Sequence, residues 1–267
     1  MGMHPFTIYF TPHLSWHPEE LSQKGFLTSF DACDTFLLEM AKQWLWQEPD
    51  LEADYNRLSV GEIDEIPSER LGEIEKALGG HEFEERLKEK IHRSKKRIVL
   101  ERIPVPPVRV EKFNSQLVDK LVKCGVSEAV ALCRDQRQRI ASNMIQRDTA
   151  LLELIRAELA AGRRLFSFRG AAHEQLLCQL LGRRGIEVKA IRYDEPSVLE
   201  RLATAMTMGK QAEDVDVQRS LYWILSAQKL EGDYDGMMAI SRRAESMNEN
   251  QLLSELEQLR RRERQNV

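Results

Sequence analysis

From Thr149 to Ala161, the apolar residues Leu151, Leu152, Ile155 and Leu159 recur at helical spacing, and Gly162 follows as a glycine able to take the left-handed conformation that ends a helix. A short apolar run, Leu165 to Phe168, lies between Arg163-Arg164 and Gly170. Leu176, Leu177, Leu180 and Leu181 then mark one face of a second helix that Gly182 closes, and Ile186 to Ile191 reads as a strand. Two strands joined through a helix lie parallel with a right-handed crossover, so this stretch predicts a βαβ unit. Upstream, Phe6 to Phe10 is rich in β-branched and aromatic residues and stops before Pro12, while Thr35 to Leu38 and Ile98 to Leu100 are further apolar runs. Helical patterns cover Glu19 to Phe30, Arg70 to Leu78, Gly79 to about Arg93, Leu117 to Val122, Ser127 to Ile145 and Pro196 to Met206. Residues 217–267 look helical throughout. The pattern predicts an α/β fold: a mixed, largely parallel sheet flanked by helices over 1–206, with a charged helical insertion at about 48–97 and a helical C-terminal appendage over 207–267.

Charge changes that picture in one place. The chain carries 42% hydrophobic and 31% charged residues with a net charge of −4, an ordinary globular balance. Residues 48–85 hold thirteen acidic and three basic side chains, whereas 86–102 hold eight basic and two acidic. Adjacent blocks of opposite sign pair within the chain, so a solvated insertion whose halves contact each other is expected. No aromatic residues interleave with the basic run, and the net charge is negative, so nucleic acid is not an expected partner. No run reaches the roughly 18 apolar residues of a membrane span, and MGMHPFTIYF lacks a basic region before a leucine-rich stretch; the expectation is a cytoplasmic protein without a membrane partner. Cys33, Cys124, Cys133 and Cys178 are scattered without a C-x-x-C pair, which points to thiols rather than to a disulfide framework or zinc ribbon. The sequence has no G-x-S-x-G elbow, P-loop or G-x-G-x-x-G, which disfavours serine hydrolases, NTPases and dinucleotide enzymes.

The candidate chemistry lies in the turn Gly170-Ala171-Ala172-His173. It would leave His173 at the carboxyl end of a strand, where open α/β sheets keep their ligand crevices. The block from Arg147-Asp148 through G-A-A-H to Ile191 resembles the C-terminal half of the TraB/Tiki proteins, a superfamily that includes the erythromycin esterase-like and ChaN-like proteins. That resemblance implies an α/β fold whose site is built by two G-x-x-H turns and a glutamate at a strand end. Some members are metal-dependent proteases; others bind or regulate. It places Phe10-Thr11-Pro12-His13 in the first turn, with Phe10 where the family has glycine, and it makes Glu39, after Thr35 to Leu38, the strand-end carboxylate. Arg147 falls where a polar or basic residue faces the site. A zincin reading of His13 and His17 fails, because Leu14 replaces the glutamate and Pro18 biases His17 away from helical geometry. His81, a helix, a strand and Glu101 repeat the order from His13 to Glu39 and form an alternative first half-site.

The expectation is therefore that His13, Glu39 and His173 hold a divalent ion of open identity. Glu39 would serve as ligand or base, and Arg147 would stabilise an oxyanion. The reading is a metal-dependent hydrolase of a peptide or ester; the alternative is a non-catalytic member of the fold that binds a peptide or a partner protein. Ala227 to Glu245 resembles one tetratricopeptide helix-turn-helix, and Leu252, Leu256 and Leu259 form a short stripe, so the C-terminal helices are a place for self-association or a protein partner. As a cleft residue, His173 is expected to be exposed and to add little to packing.

Overall fold

A computed structural model describes residues 6–11, 24–38, 51–66, 81–101, 110–192, 194–227, 230 and 233–265. The chain forms two compact units. A sheet unit comprises 1–107, 147–170 and 177–193; a helical unit comprises 108–146, 171–176 and 194–267.

Among the described residues the sheet unit holds five strands, β1 (Phe6–Thr11), β2 (Thr35–Leu38), β3 (Arg97–Leu100), β4 (Leu165–Gly170) and β5 (Val188–Arg192), in the order β3-β2-β4-β1-β5. All four pairings are parallel, with Phe6 opposite both Leu165 and Val188 and Thr35 opposite both Leu165 and Arg97. The fold is thus α/β, and the strands expected from the apolar runs share one sheet. Side-chain alternation along each strand sends residues to opposite faces. On one face Tyr9, Phe36, Phe166 and Phe168 pack with Phe26 and Phe30 of helix α1 (Lys24–Ala32). Tyr9 and Phe168 stack at 5.8 Å between ring centroids, and Phe26 meets Phe166 edge-on at 5.0 Å. Such offset and edge-on pairs add to area burial. On the other face Phe6, Ile8, Phe10, Leu37, Val99 and Leu165 pack with Leu151, Leu152 and Ile155.

Helix α2 (Leu51–Val60) departs from the solvated insertion expected over 48–97. Leu51, Tyr55 and Leu58 are buried in the aromatic core. Asn56 on the same helix pairs with the edge strand as a neighbouring strand would: its Nδ2 donates to Ile98 O at 2.9 Å, and Ile98 N donates to its Oδ1 at 2.9 Å. Glu52 accepts from Leu100 N at 2.9 Å. The acidic count of this region described composition and not faces, and an amphipathic helix needs only one apolar stripe to dock. Helix α3 (His81–Ile91) precedes β3, and the opposite charge blocks do meet where Asp64 pairs with Arg93 at 3.2 Å.

Two patterns read as separate helices, 127–145 and 149–161, are one continuous helix. Helix α4 (Val110–Cys124) precedes it, and α5 runs unbroken over Val126–Ala160, passing from the helical unit into the sheet unit after Gln146. Gly162 ends that part of the chain at φ +75°, as expected from its position. Helix α6 (Glu174–Arg183) runs past Gly182, and the left-handed turn falls to Gly185 at φ +69°.

The remaining helices are α7 (Val198–Thr207), α8 (Asp214–Ala227), α9 (Tyr234–Ser246) and α10 (Glu249–Gln265). Ser197 and Glu200 form a capping box at the start of α7. Trp223 Nε1 of α8 donates to Met237 O of α9 at 3.0 Å, and Leu252 and Leu256 of α10 are buried. The helical unit therefore draws in 108–146 as well as the C-terminal residues.

Candidate functional site

Along β4 the alternation is informative: Phe166 and Phe168 point into the aromatic core, while Leu165, Ser167 and Arg169 share the other face. On that face the apolar side chains give way to a charged pair at the carboxyl end of the strands. Arg169 is 1% exposed, and Glu101, one residue past β3, is 3% exposed. Arg169 Nη1 donates to Glu101 Oε2 at 2.6 Å, and Nη2 pairs with Oε1. Arg169 Nε donates to Ser167 Oγ at 3.0 Å, and Ser167 Oγ donates to Leu37 O at 3.2 Å. Glu101 N in turn donates to Leu38 O at 3.2 Å, which extends the β2–β3 ladder by one residue. The charges are thus held by three neighbouring strands. A two-pronged guanidinium–carboxylate contact fixes orientation as well as charge.

The amino end of the same sheet is pinned separately. Asp34, just before β2, accepts from Arg164 N at 2.9 Å and from Arg164 Nε at 3.3 Å. Polar anchors at both ends of the strands fix the register on which the Arg169–Glu101 geometry depends.

Among the residues expected to form the site, His13 and Glu39 lie outside the described residues. His81 opens α3, and its side chain is likewise outside them. Glu101, the alternative carboxylate, stands at a strand end as expected, with its oxygens engaged by Arg169. Arg147 is half-buried on α5, and Asp148 beside it is buried. His173 closes a short 3-10 turn, Ala171–His173, directly after β4, and there Ala172 O accepts from Thr204 Oγ1 at 3.3 Å. His173 is 4% exposed, which corrects the expectation of an exposed residue. The two alanines keep this turn close to its surroundings, with Ala172 packed on Met144 and Ala203.

Among the described residues no group of three or more His, Cys, Asp or Glu side chains could hold a metal ion. The described residues therefore do not supply a complete ligand set for the ion that the family resemblance implies. The Cys33 thiol is held protonated: burial pushes it up to about 12, and Cys33 Sγ donates to Phe30 O at 2.9 Å.

Sequence reading missed Arg169 and Ser167. The signal was present in LFSFRG: polar residues at alternate positions of a buried strand mark a polar stripe on one face. No family model, curated protein or solved structure matches the chain.

Proposed function

We propose that the chain is a ligand-binding module on an α/β fold of the TraB/Tiki kind, taking a peptide or a segment of a partner protein at the carboxyl end of its parallel sheet. The observation that carries this reading is the buried Arg169–Glu101 pair, braced by Ser167, at the end of the strands where open α/β sheets keep ligand crevices. A buried ion pair is seldom more stabilising than apolar side chains of similar volume, so its position calls for a role beyond stability. The pair is a fixed dipole that can orient a polar ligand, and both carboxylate oxygens of Glu101 are engaged by Arg169.

A second reading, a metal-dependent hydrolase of a peptide or ester, is supported by the G-A-A-H turn that leaves β4, with a divalent ion of unspecified identity as its cofactor. Elemental analysis of the purified protein, together with saturation binding of a fluorescent decapeptide mixture and turnover of p-nitrophenyl acetate with and without EDTA, separates the two. Saturable peptide binding that survives EDTA and is lost in the Glu101→Leu/Arg169→Met double variant supports the binding module. Stoichiometric metal with EDTA-sensitive turnover, reduced in His173→Asn, overturns it in favour of the hydrolase.

A further inference from the structure

A second buried arginine lies in the helical unit. Arg137 on α5 is 5% exposed, and its one described polar contact is with the thiol of Cys133, one turn earlier. Its Nε and Nη2 atoms are buried and make no hydrogen bond among the described residues. These two N–H groups lie side by side on one edge of the planar guanidinium, the edge that accepts two oxygens of a carboxylate or phosphate. Cys133 cannot balance the charge, because burial pushes its thiol up to about 11 and keeps it neutral near pH 7. A buried cation without a counter-charge is strongly unfavourable.

The neighbours of Arg137 locate that edge. At about 100° per residue, Arg134 and Ile140 lie about 60° to either side of Arg137, and Met144 lies within about 20°. Met144 packs with Ala203 of α7, with Ile140 beside it, while Arg134 Nη2 pairs with Asp214 at the start of α8. Arg137 therefore lies on the face of α5 that carries those two contacts, to α7 and to the start of α8. The connection between α7 and α8, residues 208–213, is largely exposed and includes Lys210. On its flank, Gln136 Nε2 donates to Phe113 O of α4 at 3.3 Å, which fixes the rotation of α5.

We infer that Arg137 is the anchor of an oxyanion site in the helical unit, with two oxygens of a carboxylate or phosphate ligand accepting from its Nε and Nη2. This inference does not rest on the function proposed above. The test is thermal unfolding of the full chain in an amine buffer, titrated with sodium phosphate or with sodium acetate against sodium chloride at matched ionic strength. The expected result is a saturable rise in Tm of at least about 2 °C with phosphate, acetate or both, absent in Arg137→Met and in Arg137→Lys. Arg137→Lys keeps the charge but lacks the two parallel donors, so it remains decisive if Arg137→Met fails to fold. A response to phosphate alone identifies a phosphorylated ligand, and a response to acetate a carboxylate. No shift with either anion, or an equal shift in Arg137→Lys, overturns the proposal.

Discussion

Among the described residues two arginines are buried, and they are treated in opposite ways. Arg169 in the sheet unit meets a carboxylate through two nitrogens and a serine hydroxyl through the third, while Arg137 in the helical unit meets a neutral thiol and has two N–H groups that no described residue accepts from. Parallel strands explain part of this. They bring residues distant in sequence into register at one end, so Glu101, Ser167 and Leu37 can converge on a single side chain. A helix offers its own residues only at one-turn spacing, and the residue one turn before Arg137 is Cys133. The difference teaches that burial alone does not define a polar site; what matters is whether the surrounding elements supply the counter-charge.

The largest effect is expected on breaking the pair. Glu101→Ala leaves Arg169 buried with a net charge and should cost about 3–5 kcal/mol in urea unfolding, whereas Glu101→Leu/Arg169→Met should recover most of that loss. If the double variant is as unstable as the single one, the contrast with Arg137 is not one of charge compensation. Ser167→Ala removes the acceptor of Arg169 Nε and should cost about 1–3 kcal/mol by the same measurement.

The smallest effect concerns the partner of Arg137. The folded state holds the Cys133 thiol at about 11 against an ordinary 9.0, burial acting against the pull of Arg137. An acid with a raised folded value favours folding while protonated, so its contribution is complete below about pH 9 and is lost as pH rises toward 11, at up to about 1.4 kcal/mol per pH unit. Cys33 behaves alike toward about 12. Comparing parent with Cys133→Ala between pH 8 and 10.5 should show a stability difference that shrinks with pH. A constant difference means that burial does not hold the thiol protonated.

The site was only partly legible before the fold. Gly170 to His173 was readable as a turn after a strand, and Glu101 as a strand-end carboxylate, because each needs only local pattern. Arg169 was not singled out, because a single arginine beside a glycine looks like the end of a surface strand until β1 and β2 are seen to flank it on both sides. His173 was expected at the surface and is buried, since exposure depends on what packs over a turn. Likewise α2 reads as part of an acidic, solvated stretch, and only docking shows Asn56 pairing with the backbone of β3.

By itself the sequence determined the local alternation: apolar runs long enough for strands, helical stripes between them, and a glycine at the end of α5, all set by side-chain periodicity and backbone sterics within a few residues. From these follow the α/β class and the membership of the sheet. Tertiary structure alone decided the strand order β3-β2-β4-β1-β5, the merging of two helical patterns into the single helix α5, and the pairing of Glu101 with Arg169. Those features depend on contacts between residues tens of positions apart, whose energies are set by burial and by the partner that arrives, and no local pattern encodes which partner that will be.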